Sequence, residues 1–214
     1  GISLPGEMDQ LQHIIDPEIG VFTYIGDAHA EGFENPVQKI NEKLKLFIKS
    51  KVLIYCSDDD RMQDSVINFK ETQHTALQLF GWSRKQGSTL FISKTEKSEK
   101  GCSISCLYDS RELNFFIPFT DDASIHNAIT CCCVLLYLNV SFPAIASHIY
   151  QLRPVEMRLE LKEGLNNCSI INDSYSTDIN SLTIALDFLL QQQQHSKRTV
   201  ILSDILQSSL PPGI

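Results

Sequence analysis

The chain has 214 residues, 43% of them hydrophobic and 21% charged, which suits one or two globular domains with a core of ordinary size. Its 18 basic residues face 26 acidic ones, a net charge of -8, and this argues against a nucleic-acid surface, which needs a basic patch. No run approaches the roughly 20 apolar residues of a membrane span, and no basic leader precedes an apolar stretch at the start, so a cytoplasmic protein is expected.

Gly1 opens in what reads as a loop. Residues 19–25 (IGVFTYI) are β-branched and aromatic and end at Gly26, the pattern of a buried strand. Asn35-Pro36 then starts a helix, with Asn35 as cap and Pro36 in the first turn, where its missing N–H leaves no bond unmade. Val37, Ile40, Leu44 and Phe47 give that helix one apolar face as far as Ser50. Residues 51–56 (KVLIYC) form a second strand, and strand–helix–strand in this rhythm predicts a parallel βαβ unit. Ser57 and the run Asp58-Asp59-Asp60 follow, either to cap the next helix or to gather a metal.

Between residues 76 and 119 the runs ALQLFGW, STLFIS, CSISCLY and ELNFFIPF are short, with polar breaks, and predict an antiparallel meander. Residues 121–139 read as a strongly apolar helix with Ala128, Cys132, Leu135 and Leu136 inward, and Pro143 opens another helix that runs to about residue 152. A boundary is expected near residues 152–154. Beyond it a strand at 168–171, a helix at 178–193 and a strand at 199–202 suggest a separate parallel sheet. The seven cysteines include no CxxC pair, and three are consecutive, so free thiols buried in a reducing compartment are expected rather than disulfides or a zinc set.

No GxxxxGK[ST] loop, GxSxG elbow or HExxH helix occurs. Five segments nevertheless stand out. Tyr24 to Phe33 (YIGDAHAEGF) follows a strand directly, where α/β proteins place ligands, and contains His29. Lys43 lies in the helix after it, and Asn127 lies in the apolar helix after the meander. Arg158 sits in PVEMRLE, and Asp173 in NDSY at the end of a later strand. Taken singly, these are an ordinary loop histidine, surface lysine, helix amide, solvated arginine and turn.

Their succession resembles the Mur ligases, and within that family the branch that joins D-alanyl-D-alanine to UDP-N-acetylmuramoyl tripeptide. The family pattern N-I-G-x-A-H-x-E-G-F is similar to Tyr24 through Phe33, and D-D-S-Y is similar to Asn172 through Tyr175. The lysine helix, the asparagine helix and the P-x-x-x-R-L-E segment resemble residues 39–47, 124–136 and 154–160. The resemblance implies an α/β fold: residues 1–152 as most of a central ATPase domain, with a mixed sheet, flanking helices and a meander, and residues 153–214 as the truncated start of a Rossmann-like third domain. It implies ATP and Mg2+ as cofactors. His29 and Lys43, the latter carbamylated, would support the metal, and Asn127, Arg158 and Asp173 would meet the nucleotide. Pyridoxal phosphate would enter only if a racemase domain followed.

The family's phosphate loop and acidic magnesium ligand would lie upstream of Gly1, so this chain by itself is expected to be inactive. Two departures stand out. Asp121-Asp122-Ala123-Ser124 replaces the family's G-R-H-N, and Ser176-Thr177-Asp178 replaces N-A-N. Another ligase of the superfamily, similar to folylpolyglutamate synthase, and a non-catalytic binding module of the same fold are the competing readings.

Overall fold

A computed structural model describes residues 2–26, 32–153, 155, 158–175, 179–192 and 194–203. The chain divides into two compact units, the first made of Gly1–Ile25 and Gly32–Leu152, the second of Gly26–Glu31 and Arg153–Ile214.

In the first unit, α1 (Glu7–Ile15) precedes β1 (Ile19–Phe22), and α2 (Pro36–Leu44) tightens into a 3-10 turn at Lys45–Phe47 before β2 (Val52–Cys56). After α3 (Asp60–Gln73) come β3 (Gln78–Ser83), β4 (Leu90–Ser98), β5 (Gly101–Tyr108) and β6 (Arg111–Ile117). Helices α4 (Asp122–Tyr137) and α5 (Phe142–Tyr150) complete the unit. One six-stranded sheet runs in the order β1-β2-β3-β4-β5-β6. The first three strands are parallel, and β4, β5 and β6 form the antiparallel meander.

The expected βαβ unit is present, with α2 as its crossover. The meander is shorter than expected: β3, read from ALQLFGW as its first strand, is parallel to β2, because α3 supplies the crossover that such a pair requires. The β3–β4 pair is also parallel, although only residues 84–89 join the two strands. It needs no return crossover because only Trp82–Leu90 and Ser83–Phe91 pair, so β4 starts beside the end of β3 and runs onward.

Both faces of β2 are buried, as its continuous VLIYC run predicts. Val52 and Ile54 pack with Trp82, Ile92 and Ile104 beneath Ile125, Ile129, Cys132 and Cys133 of α4. Leu53 and Tyr55 face the other way, onto Ile40, Leu44 and Phe47 and onto Met62, Val66 and Phe69 of α3. A Cβ at Gly20 would lie 2.6 Å from the Phe47 ring, so glycine there lets the 3-10 turn settle onto β1. Val37, expected on the apolar face of α2, is exposed.

Helix α1 was not legible in the sequence. Its start carries no local side-chain cap; the Gly6 N–H donates instead to Glu42 Oε1 of α2 at 2.6 Å, a partner 36 residues away. The Asp58-Asp59-Asp60 run divides its work. Asp59 caps α3, accepting from the Arg61 N–H at 2.9 Å, while Asp60 pairs with Lys85. Among the described residues no group of His, Cys, Asp or Glu is arranged to hold a metal. All seven cysteines are free; Cys102, Cys106, Cys132 and Cys133 are buried as expected, whereas Cys131 and Cys168 are exposed. Burial pushes the Cys132 thiol up to about 12. Among the described residues no helix is long and apolar enough to cross a membrane.

In the second unit, β7 (Glu160–Glu163) and β8 (Ser169–Asn172) form an antiparallel hairpin, followed by α6 (Ile179–Gln191). This departs from the parallel start expected there. The strand expected at 199–202 is also absent: those residues make no ladder, and Ile201 is 93% exposed. A strand exists only where a neighbour accepts its backbone bonds, and none of the described residues does so here.

Candidate functional site at the strand ends

Lys43 lies near the C-terminus of α2, four residues after Lys39 and hence on the same helix face. Lys39 is buried, at 4% exposure, and Lys43 is half-buried. Burial, reinforced by the charge of Lys39, lowers the Lys43 pKa and so favours the neutral amine. A neutral amine is the form that can take up carbon dioxide as a carbamate, whose oxygen atoms suit a hard cation as an ammonium cannot. His29, the other expected metal ligand, lies outside the described residues. The glycine of its E-G-F motif has a visible reason: a Cβ at Gly32 would meet the Ser3 carbonyl oxygen at 1.8 Å.

Asn127 is exposed on α4. The departure just before it has a structural role, since Asp121 is the N-cap of α4 and accepts from the Ser124 N–H at 2.7 Å. Beside Asn127, His126 points back to the sheet. Its Nε2 lies 2.6 Å from the Thr23 carbonyl oxygen, just past β1, which requires the proton on Nε2. The imidazole meets the fully buried Trp82 edge-on at 4.6 Å between ring centres, and Tyr24 at 6.3 Å. Burial lowers the His126 pKa; the bond to Thr23 opposes this, and the charge of Arg84 adds to it.

Trp82 is fixed in turn. Its Nε1–H donates to Thr130 Oγ1 at 3.0 Å, and Thr130 donates to the His126 carbonyl one turn back. The Arg84 guanidinium lies 5.9 Å from the Trp82 ring centre and pairs with Asp58 at 2.7 Å. Burial works against the Asp58 charge, but hydrogen bonds from Ser83 and Arg84 outweigh it and hold the carboxyl below its usual range. These groups line the carboxyl ends of β1, β2 and β3, where open α/β sheets take ligands. The family resemblance singled out Asn127 and the segment that begins at Tyr24, and passed over His126 and Trp82. A histidine in an apolar helix next to Asn127 was the available signal, but its partner Thr23 is 103 residues away.

In the second unit the structure brings the Arg158 and Asp173 segments together. The Leu159 N–H donates to Asp173 Oδ1 at 3.1 Å, and the Arg158 guanidinium stacks over the Tyr175 ring at 4.3 Å. The turn after β8 is closed by Asn172, whose side chain accepts from the Ser174 hydroxyl at 2.8 Å.

A half-parallel, half-antiparallel sheet with helices on both faces and polar groups at the ends of its parallel strands defines a mixed-sheet α/β domain. The sequence profile of the Mur ligase middle domain matches residues 2–135, and the chain belongs to that family. It is similar to the UDP-N-acetylmuramoyl-tripeptide--D-alanyl-D-alanine ligase of Bacillus subtilis strain 168, 26% identical over 97% of this chain and 44% of that protein. Crystal structure I of MurF from Acinetobacter baumannii matches with a TM-score of 0.75 at 22% identity, covering 90% of this chain and 41% of that one. An FPGS–AMPPCP complex matches less well, with a TM-score of 0.60 at 15% identity, covering 82% of this chain and 44% of that one. The two structural likenesses establish the fold, and the chain spans under half the length of the curated relatives it matches.

Proposed function

We propose that the whole protein is an ATP-dependent ligase of the cytoplasm that joins D-alanyl-D-alanine to UDP-N-acetylmuramoyl tripeptide. The observation that carries this reading is the alignment of 97% of the chain with a relative named for that reaction. The γ-phosphoryl group of ATP passes to the tripeptide carboxylate, giving an acyl phosphate and ADP. The amine of D-alanyl-D-alanine then attacks the acyl carbon, phosphate leaves, and the amine gives up a proton as the amide forms. Catalysis of this kind is mainly positioning and charge neutralisation.

In this reading Lys43, as a carbamate, and His29 would hold a magnesium ion, which would supply charge neutralisation for phosphoryl transfer. The lowered Lys43 pKa supports that role. Asn127 meets the adenine from the exposed side of α4. Arg158, stacked on Tyr175, and Asp173, which accepts from the Leu159 N–H, would be the nucleotide-binding groups of a Rossmann-like third domain that begins at residue 153.

Release of ADP by the full-length protein tests the proposal. Release should require both the UDP-tripeptide and D-alanyl-D-alanine. Turnover with a folate and glutamate instead would assign a different ligase of the superfamily, and no nucleotide turnover with any acceptor would leave a binding module.

A further inference from the structure

We propose that the cavity between α3 and the 84–89 turn is a binding site for a small aliphatic α-amino-acid zwitterion, either a free amino acid or a short dipeptide. The cavity has a volume of about 340 Å³ and opens at the carboxyl ends of β2 and β3, within the first unit. Its floor includes Gly81, in the interior of β3. A glycine there weakens a strand, so it calls for a reason. Packing supplies none: an added Cβ would stand 3.5 Å from Ser57 Oγ and 3.5 Å from the Tyr55 ring, both ordinary contacts, and Gly81 is not among the positive-φ residues. What a Cβ would remove is cavity space, so close approach of a ligand is the reason that remains.

The polar groups define what enters. Burial pushes the Tyr55 phenol up to about 12, so it stays protonated and donates to Gln63 Oε1 at 2.8 Å. The N–H pair of that amide has no acceptor among the described residues and is left to donate to a carboxylate. At the exposed mouth Lys85 pairs with Asp60. A simple anion or cation would meet one of these two and face the like charge of the other, whereas a zwitterion satisfies both. Ile67 and Leu79 offer an apolar side to a short alkyl group. The site itself does not depend on the ligase reading; only its assignment to the dipeptide acceptor rests on that reading.

The test titrates D-alanyl-D-alanine, D-alanine and L-alanine into the full-length protein without ATP, with ribose as an uncharged control, and follows binding by calorimetry. At least one zwitterion should bind saturably, and ribose should not. Gly81→Ala should weaken that binding about tenfold by filling the floor, with a urea midpoint at or above that of the wild type. Lys85→Ala, on an exposed residue, should weaken it about threefold. Binding of the dipeptide alone assigns the cavity to the acceptor, and equal binding of a free amino acid assigns it to the amino acid. No saturable binding of any of the three, or ribose binding as tightly as they do, overturns the proposal. So does an affinity that Gly81→Ala leaves unchanged, which would put the ligand elsewhere. Should Gly81→Ala destabilise the fold, Lys85→Ala decides: a threefold loss upholds the site and unchanged affinity overturns it. Binding is read without turnover, so failure of this site and failure of the ligase reading are seen separately.

Discussion

Lys43 and His126 are both polar groups placed where burial penalises charge, and each has a measurable consequence. Lys43 combines partial burial with a second lysine four residues back on its own face. In the full-length protein Lys43→Ala should lower turnover about a hundredfold, the loss expected when one charge-stabilising group is removed, and small carboxylic acids such as acetate should restore part of it. Turnover within a few-fold of wild type would remove Lys43 from the site. For His126 the sign follows from its depressed pKa. Above the ordinary value of 6.5 the imidazole is neutral in folded and unfolded chains alike, so there is no contribution. As the pH falls below 6.5 the unfolded chain takes the proton first, and stability drops until the folded-state pKa is reached. Arg84 and Asp58 are the charged groups acting on the ring, one lowering and one raising its pKa. Between about pH 7.5 and about pH 5.5 the urea midpoint of the wild type should therefore fall further than that of His126→Gln. A parallel pH response in the two proteins would count against the buried neutral imidazole.

Among the elements, α4 shows how a departure from a family motif can be a gain in local structure. Asp121 is buried and caps the helix, so Asp121→Ala should lower stability by about 1 kcal/mol, read as a shift in the denaturation midpoint, while Asp122→Ala, on an exposed residue, should do less. Legibility in the sequence followed the same local logic. Asn35-Pro36 announced α2 because cap and helix lie within four residues, and VLIYC announced a strand buried on both faces because its burial is written in consecutive residues. Helix α1 was hidden because its N-terminal partner, Glu42, belongs to another helix, and β3 was misassigned because pairing direction depends on the crossover, not on the strand's own residues. The same divide applies at the candidate site. The family resemblance pointed to Lys43 and Asn127, whereas the His126–Trp82–Arg84 cluster arises only when three strand ends and a helix meet.

For the molecule as a whole, the chain contains no GxxxxGK[ST] loop, and that loop supplies the backbone N–H groups and lysine that grip a triphosphate. Isothermal titration of this chain alone with ATP and magnesium should show weak binding at best, and tight saturable binding would mean that another part of it grips phosphate. The two compact units should also differ in protection. Ile170 lies half exposed in a two-stranded hairpin, while Phe22 is buried in a six-stranded sheet, so amides around Ile170 should exchange much faster than those around Phe22. Equal protection of both would argue against a domain boundary near residue 153.

The sheet of the first unit ends at β1, which among the described residues has a strand neighbour on one side only, β2. Val21 is partly exposed there, and no proline interrupts the strand. An open edge of this kind is a template for pairing with another chain. Preparations of this chain by itself should thus be limited by colloidal behaviour before they are limited by folding. Clouding would grow with protein concentration, and a lysine placed at Val21 would suppress it without touching the core.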